Sequence, residues 1–444
     1  MDIYNVVSFV GLFALVGVGW LLSSERRRVN LRTVLTGMGL QLAFAGLLFW
    51  APGSQWLFLR LNDGVVAVLD AAKNGQKFVF GPLAAEGAQS LGFILATQSL
   101  PLAIVFASLM ALLYHWGVMQ RIIRGFAWVF TRTMGTSGAE SLVAASNIFV
   151  GVESATTVRP YLGGMTQSEL CTVLTAGMAT IASTVMAFYV SLLSKPFPTI
   201  AGHLISASVL SAPAALVMSK VLVPETGEPA TLGRTVSVEH ERESGAIAAL
   251  IGGATAGLKL VFGIMALLVA LLGLLAIADL LLGGAGHGVA AVANWIGGQA
   301  GAQDQLALNW SLQGLLGYVM YPFALLMGVP PEDAGKVGEL LGMRLVATEI
   351  PAYIGLSEAM SSGALHHPRT AVVTAYALCG FAHVASLAIF VGGVAALAPE
   401  RKDDLARVGV RALTAATLAC LMTGAVAGTF FHDGLTVLNA GALP

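Results

Sequence analysis

Glu153 and Glu349 are the residues of this chain best placed to do chemistry. Each follows a flexible or apolar turn and precedes small side chains, the arrangement of a hairpin tip. A carboxylate held there accepts hydrogen bonds from sugar hydroxyls or a base N–H. The plain alternative is an internal ion pair, Glu153 with Arg159 or Glu349 with Arg344. A third group, His383, lies within Gly380-Phe381-Ala382-His383-Val384-Ala385-Ser386, in the middle of the apolar run Thr370 to Leu397. If that run is one helix, Ser386 lies one turn on and both side chains face the same way. Such a histidine either meets a solute or is hydrogen-bonded within a helix bundle.

These groups matter because of their surroundings. Of 444 residues, 56% are hydrophobic and 11% charged, and the mean hydropathy is +0.80. A water-soluble domain carries about 25% charged residues, so the natural solvent here is lipid. Inside a membrane an ionisable side chain costs about 2.5–3.5 kcal/mol on insertion scales and persists for function or pairing. A net charge of −1 supplies no basic stripe for phosphates, which excludes nucleic acid as a partner. Cys171, Cys379 and Cys420 lie in apolar stretches without metal spacing and read as small core residues.

The elements that must position these groups follow from apolar run length. About 20 mainly apolar residues cross a bilayer, and residues 3–22, 33–51, 93–116, 168–194, 201–222, 256–282, 370–397 and 406–430 qualify. Residues 308–328 leave spanning and re-entrant readings open. Arg26-Arg27-Arg28 follow the first run, which places them in the cytoplasm and the N-terminus outside. Trp56 to Phe80 mixes apolar and charged residues as an interfacial helix does. Pro224 to Gly245 reads as a solvent-exposed loop. Two segments, Gly135 to Pro160 and Gly342 to Ser362, combine acidic and hydroxyl side chains with Gly or Pro. Non-helical backbone survives at membrane depth only when covered by protein or lining a cavity, and such paired segments point to a transporter's binding site. Both are therefore read as re-entrant hairpins. The expected fold is an all-α integral membrane protein with about eight transmembrane helices, two re-entrant hairpins and interfacial helices.

The strings Ser137-Gly138-Ala139-Glu140-Ser141, Ala145-Ser146-Asn147-Ile148-Phe149-Val150-Gly151, Val158-Arg159-Pro160-Tyr161 and Met165-Thr166-Gln167-Ser168-Glu169-Leu170 resemble the first half of the concentrative nucleoside transporter family. Ala347-Thr348-Glu349-Ile350-Pro351-Ala352-Tyr353 is similar to that family's Asn-Glu-Phe-Val-Ala-Tyr hairpin motif, and Gly380 to Ser386 to its Gly-Phe-Ala-Asn-Phe-Ser-Ser motif. The likeness runs from about residue 90 onward. It implies a homotrimer in the bacterial inner membrane that imports nucleosides or related ribosyl solutes with a cation, Na⁺ in preference to H⁺. Each protomer would move a transport domain of hairpins and broken helices against a scaffold. Carried over by position, Glu349 and Ser386 meet ribose, Phe381 lies near the base, and Val152 and Glu153 form the tip that reads the base. Thr348, Val185 and His383 complete the solute site. Asn147, Val150, Thr180 and Ile181 would bind Na⁺ as coupling ion, with no further cofactor.

The departures from the family pattern are local. Val152 replaces a Gln, Thr348 and His383 each replace an Asn, and the first tip is one residue short. Losing a base-reading amide lowers discrimination more than affinity. The expected units are 1–116 (scaffold), 117–222 (transport), 223–246 (polar loop), 247–335 (scaffold) and 336–444 (transport). Two rivals remain at this stage. Gly135-Thr136-Ser137-Gly138 fits an intramembrane serine protease motif with His383 as base. A passive channel would show uptake without accumulation.

Overall fold

The structure, a computed structural model, describes residues 2–51, 53–84, 92–236, 244–297 and 309–432, apart from the side chains at 55, 152, 153 and 287–297. Two apolar helices open the chain, α1 (Ile3–Leu21) and α2 (Leu31–Phe49), joined through the Arg26–Arg28 turn. Asn30 starts α2, its side chain accepting from the amides of Arg32 and Thr33. An amphipathic α3 (Ser54–Phe80) follows, burying Phe58 and Leu69 and exposing Phe78 and Val79. Short α4 (Leu95–Gln98), then α5 (Leu102–His115) and α6 (Val118–Met134), lead to the first hairpin.

That hairpin consists of α7 (Gly138–Asn147), a turn, a 3-10 segment at Val152–Val158 and α8 (Arg159–Leu162). Ser137 and Glu140 form a capping box at its start, and Thr166 and Glu169 repeat the device at α9 (Gln167–Ala179). Each box satisfies amides that a helix start leaves without partners. After α10 (Ser183–Leu193) and α11 (Ile200–Leu222) comes α12 (Ala246–Gly297), 52 residues long and so about 78 Å at 1.5 Å per residue. The expected span 256–282 is thus only its middle. The remainder is α13 (Leu312–Leu326), α14 (Pro331–Val346), α15 (Glu349–Ser361), α16 (Pro368–Ala377), α17 (Val384–Leu397) and α18 (Lys402–Phe430).

Among the described residues, seven stretches are long and apolar enough to cross a membrane. They answer to seven of the eight expected runs. The eighth, 370–397, is divided into α16 and α17 by a non-helical stretch at 378–383. Gly380 permits this break, because a Cβ there would lie 2.9 Å from the carbonyl oxygen of Ala179. The run 168–194 is divided in the same way between α9 and α10, with Thr180 extended at φ −121° and ψ 164°. The two breaks therefore touch.

Other expectations shift as well. The second hairpin begins earlier than Gly342, since its arms are α14 and α15 and its tip is Ala347–Thr348. Pro351 does not break it, because proline in a helix's first turn sacrifices no hydrogen bond. Gly342 packs against α13, where an added Cβ would meet the Gly317 nitrogen at 3.0 Å. Residues 224–236 are not simply solvated loop. Thr231 accepts the Gly138 amide on its carbonyl at 2.9 Å and the Ala139 amide on its hydroxyl at 3.1 Å, closing the start of α7. The three cysteines are free and buried.

Packing separates the N-terminal residues. α1 and α2 pack on α18 and α11, whereas α5 runs along α12. Small residues allow the second contact, since a Cβ on Gly257 would sit 2.7 Å from Ile104 Cα. Arg369 fastens the end of the bundle at which α1 begins, donating to the carbonyls of Gly328 and Gly428, each at 2.7 Å, and to Asn5 at 2.8 Å. At the other end, buried Lys220 lies 2.5 Å from Glu140, which also accepts from the Thr172 hydroxyl at 2.8 Å.

Removing one member of a buried pair strands the other charge. Lys220→Met is expected to destabilise the fold by about 3–5 kcal/mol, read as a lowered melting temperature in detergent. The double change Lys220→Met with Glu140→Gln, which removes the stranded charge and keeps an acceptor for the α7 cap, should recover most of that loss; a double variant as unstable as the single one argues against the pairing.

Candidate functional site

Four backbone interruptions converge on one cleft with about 730 Å³ of empty space, part of it open to its surroundings. Gly151 comes from the first hairpin's tip, and Val185 from the start of α10. Thr348 and Glu349 come from the second tip, and Phe381, His383 and Ser386 from the α16–α17 break. Leu260, Ile264 and Leu268 of α12 form an apolar wall. Six of the eight solute-site residues expected from the sequence thus share one cavity. The remaining two, Val152 and Glu153, have side chains outside the described residues, though their backbone adjoins Gly151.

Glu349 is the buried acid of this cleft. Its Oε1 accepts from the Tyr189 hydroxyl at 2.5 Å, and its Oε2 lies 3.0 Å from His383 Nε2. The ion pair with Arg344 is not made, because Arg344 instead donates to the carbonyl of Ala377, the last residue of α16. Glu349 begins α15, where a helix start favours negative charge.

His383 does not sit within a helix. It is the N-cap of α17, its Nδ1 accepting the Ser386 amide at 3.1 Å while the Ser386 hydroxyl faces the His383 amide at 3.3 Å. The expectation that both side chains line one helix face is therefore replaced by a reciprocal cap. The cap also assigns the ring: a nitrogen that accepts an amide carries no hydrogen, so Nε2 carries the hydrogen of the neutral ring; it stands 3.0 Å from Glu349 Oε2, an oxygen left without a hydrogen-bond partner. Ser386 is turned back toward the break, its hydroxyl bonded to the carbonyls of Phe381 and His383.

The expected ion residues lie beside the cleft. Asn147 donates through Nδ2 to Val143 at 3.1 Å, leaving its Oδ1 buried without a hydrogen-bond partner. Thr180 donates to Ala176 at 2.9 Å and keeps acceptor capacity on its hydroxyl. The Phe149 carbonyl accepts the Ser183 amide at 3.0 Å, joining the segment of Asn147 and Val150 to that of Thr180 and Ile181. An orphaned amide oxygen is a hard donor of the kind a cation takes.

Tyr189 was not among the expected site residues. A tyrosine within an apolar helix carries no sequence signal distinguishing it from core, and only the approach of α10 to α15 sets its hydroxyl against Glu349. The protease pairing is not made. Ser137 Oγ donates to Glu169 at 2.7 Å and caps α7, whereas His383 serves α17 and Glu349.

Comparison with known proteins agrees. A family model described as the Na⁺ dependent nucleoside transporter C-terminus matches residues 203–428, its N-terminal counterpart matches 10–83, and a nucleoside recognition gate matches 96–196. The chain belongs to the concentrative nucleoside transporter family. This family member is 35% identical to an uncharacterized transporter of Haemophilus influenzae, covering 97% of this chain and 99% of that one. It is 33% identical to nucleoside permease NupC of Helicobacter pylori, over 96% and 98%. Human solute carrier family 28 member 3 is 36% identical, over 96% of this chain and 60% of the relative. The solved structure of CNTnw in an inward-facing, substrate-bound state superposes with a TM-score of 0.83 at 33% identity, covering 96% and 98%. An outward-facing variant of CNTnw matches at 0.82 and 32%, over 97% and 98%. As a concentrative nucleoside transporter the chain is a multi-pass membrane transporter and not an enzyme, and relatives solved facing both ways are consistent with alternating access.

The cap at His383 carries a stability prediction. His383→Ala should cost about 1 kcal/mol, as cap deletions do, whereas His383→Asn, with an amide oxygen able to cap, should stay within about 0.5 kcal/mol of the parent. Thermal melting of the two variants decides; equal losses would mean that the cap is not what His383 contributes to folding.

Proposed function

We propose that this chain is a secondary active symporter that imports nucleosides with a cation, Na⁺ in preference to H⁺, by an elevator-type motion. The observation that carries the reading is Glu349 at the meeting of both hairpin tips and both helix breaks, backed by the Tyr189 hydroxyl, close to His383 and facing a cleft. In it Glu349 accepts the ribose hydroxyls, Phe381 and Val185 pack on the solute, and Thr348, His383 and Ser386 shape the rim. Val152 and Glu153 read the base. Val152 offers no hydrogen bond to a base edge, so discrimination among bases is expected to be broad.

Na⁺ is preferred to H⁺ because Asn147 Oδ1 needs a partner, while His383 Nδ1 is already engaged by the Ser386 amide. Asn147 and Thr180 supply side-chain oxygens and Val150 and Ile181 backbone carbonyls, the way broken helices hold Na⁺ in secondary transporters. We assign α5 and α12, which pack along each other, to a fixed scaffold. The hairpins, the broken helices and also α1 and α2 then form the moving body. Assembly as a homotrimer in a bacterial inner membrane completes the proposal, with lipid and a nucleoside or related ribosyl solute as partners. A passive channel would not accumulate solute against a gradient.

Purified protein should be stabilised by uridine or adenosine in a thermal-shift assay, more strongly with Na⁺ than with choline, since ligands stabilise the state they bind. Absence of any shift across a nucleoside panel would remove the solute assignment. Glu349→Gln should weaken binding roughly 10- to 100-fold, the worth of hydrogen bonds to a charged group, with the melting temperature of the empty protein little changed. For the ion, Asn147→Leu should abolish the advantage of Na⁺ over choline in uptake into liposomes; retained sodium dependence would place the ion elsewhere.

A further inference from the structure

We propose that Tyr189 is a positioning residue for solute recognition, holding the Glu349 carboxylate in the orientation that a vicinal diol requires. The inference rests on the reading that Glu349 takes the sugar hydroxyls. Tyr189 does not line the cleft. It stands behind Glu349, fully buried, with its hydroxyl 2.5 Å from Oε1. Its ring is itself immobilised, stacked on Tyr353 with centroids 4.7 Å apart and planes 29° apart. Tyr353 lies one turn after Glu349 on α15 and is pinned by its own hydroxyl, which donates to the Ala375 carbonyl at 3.0 Å. The second hairpin thus builds the platform that holds the phenol against its own acid.

The other oxygen faces the His383 ring on the opposite side. His383 Nε2 is 3.0 Å from Oε2, and the ring cannot turn without releasing the α17 cap at Nδ1. A carboxylate offers about four acceptor positions. The Tyr189 bond at Oε1 fixes the rotation of the group, and Oε2 is left without a hydrogen-bond partner, so acceptor capacity remains on both oxygens. Two adjacent hydroxyls match that arrangement, as the 2′ and 3′ positions of a ribose do. With the phenol removed, Oε1 loses its anchor and the carboxylate is free to rotate, so the loss falls on ligands that use both oxygens. Positioning losses of this type fall on orientation-dependent contacts and spare the rest of the binding energy.

The test compares Tyr189→Phe with the parent, measuring affinity for uridine and for 2′,3′-dideoxyuridine in reconstituted full-length protein. The expected result is a loss of about tenfold or more for uridine, the scale of one hydrogen bond to a charged group, with the dideoxy compound changed less than about twofold. The ratio between the two ligands collapses. A parallel fall for both ligands, or no change for either, overturns the assignment, because a structural lesion does not single out the diol. Should Tyr189→Phe not fold, Tyr353→Phe takes its place, since it frees the ring that backs Tyr189 and should lower the same ratio by a smaller factor; an unchanged ratio there overturns the proposal. A parent protein that binds both ligands equally removes the Glu349 reading and this inference together. A discriminating parent with a discriminating Tyr189→Phe removes only the role of Tyr189.

Discussion

A helix that stops in the middle of a membrane must hand its free amides and carbonyls to something other than water. This protein solves that problem by stopping four segments at the same place. The Phe149 carbonyl of the first tip takes the amide of Ser183, which opens α10. Gly380 of the later break lies against the Ala179 carbonyl that ends α9. His383 and Ser386 cap α17 between themselves. Each interruption is tolerable only because another faces it, and the space where they meet is the cleft.

The same constraint explains why the chemistry gathers there. Helix starts favour negative charge and hydrogen-bond acceptors, and both α10 and α15 begin at the cleft, with Glu349 as the first residue of α15. Helix ends favour cations, and Arg344 reaches the last carbonyl of α16. The buried acid and the buried arginine, neighbours in sequence, are therefore drawn to different ends of different helices. The hairpins are also anchored differently at their bases. The first is tied down by Lys220, Glu140 and the Thr231 strap, the second by Asp333, which accepts from Thr370 at 2.6 Å and from the amides of His366 and His367.

Much of this architecture was legible in the sequence. Seven apolar runs needed only counting, because the thickness of lipid sets their length. The two acid-bearing hairpins stood out because charge is costly at membrane depth, and a family resemblance gathered Val185, Thr348, Glu349, Phe381, His383 and Ser386, which the fold places on one cleft. The break at 378–383 was not legible from hydropathy. Breaking a helix there changes neither residue type nor polarity, and the glycine that allows it gains meaning only from Ala179, two hundred residues away in the chain. The span of the second hairpin was misplaced for a related reason: Gly342 and Pro351 look like breakers, yet one packs on α13 and the other sits harmlessly in a first turn.

What the sequence alone determined is the solvent, the helical class and the presence of acids in apolar surroundings, all of which follow from composition and local spacing. What only the tertiary structure decided is who those acids face. Glu349 meets Tyr189 and His383 instead of Arg344 because α10 and α17 come to it in space, and the histidine's donor nitrogen is chosen by the cap it makes for its own helix. Partnerships of that kind depend on how helices approach one another, and no property of a single residue or its neighbours in the chain records it.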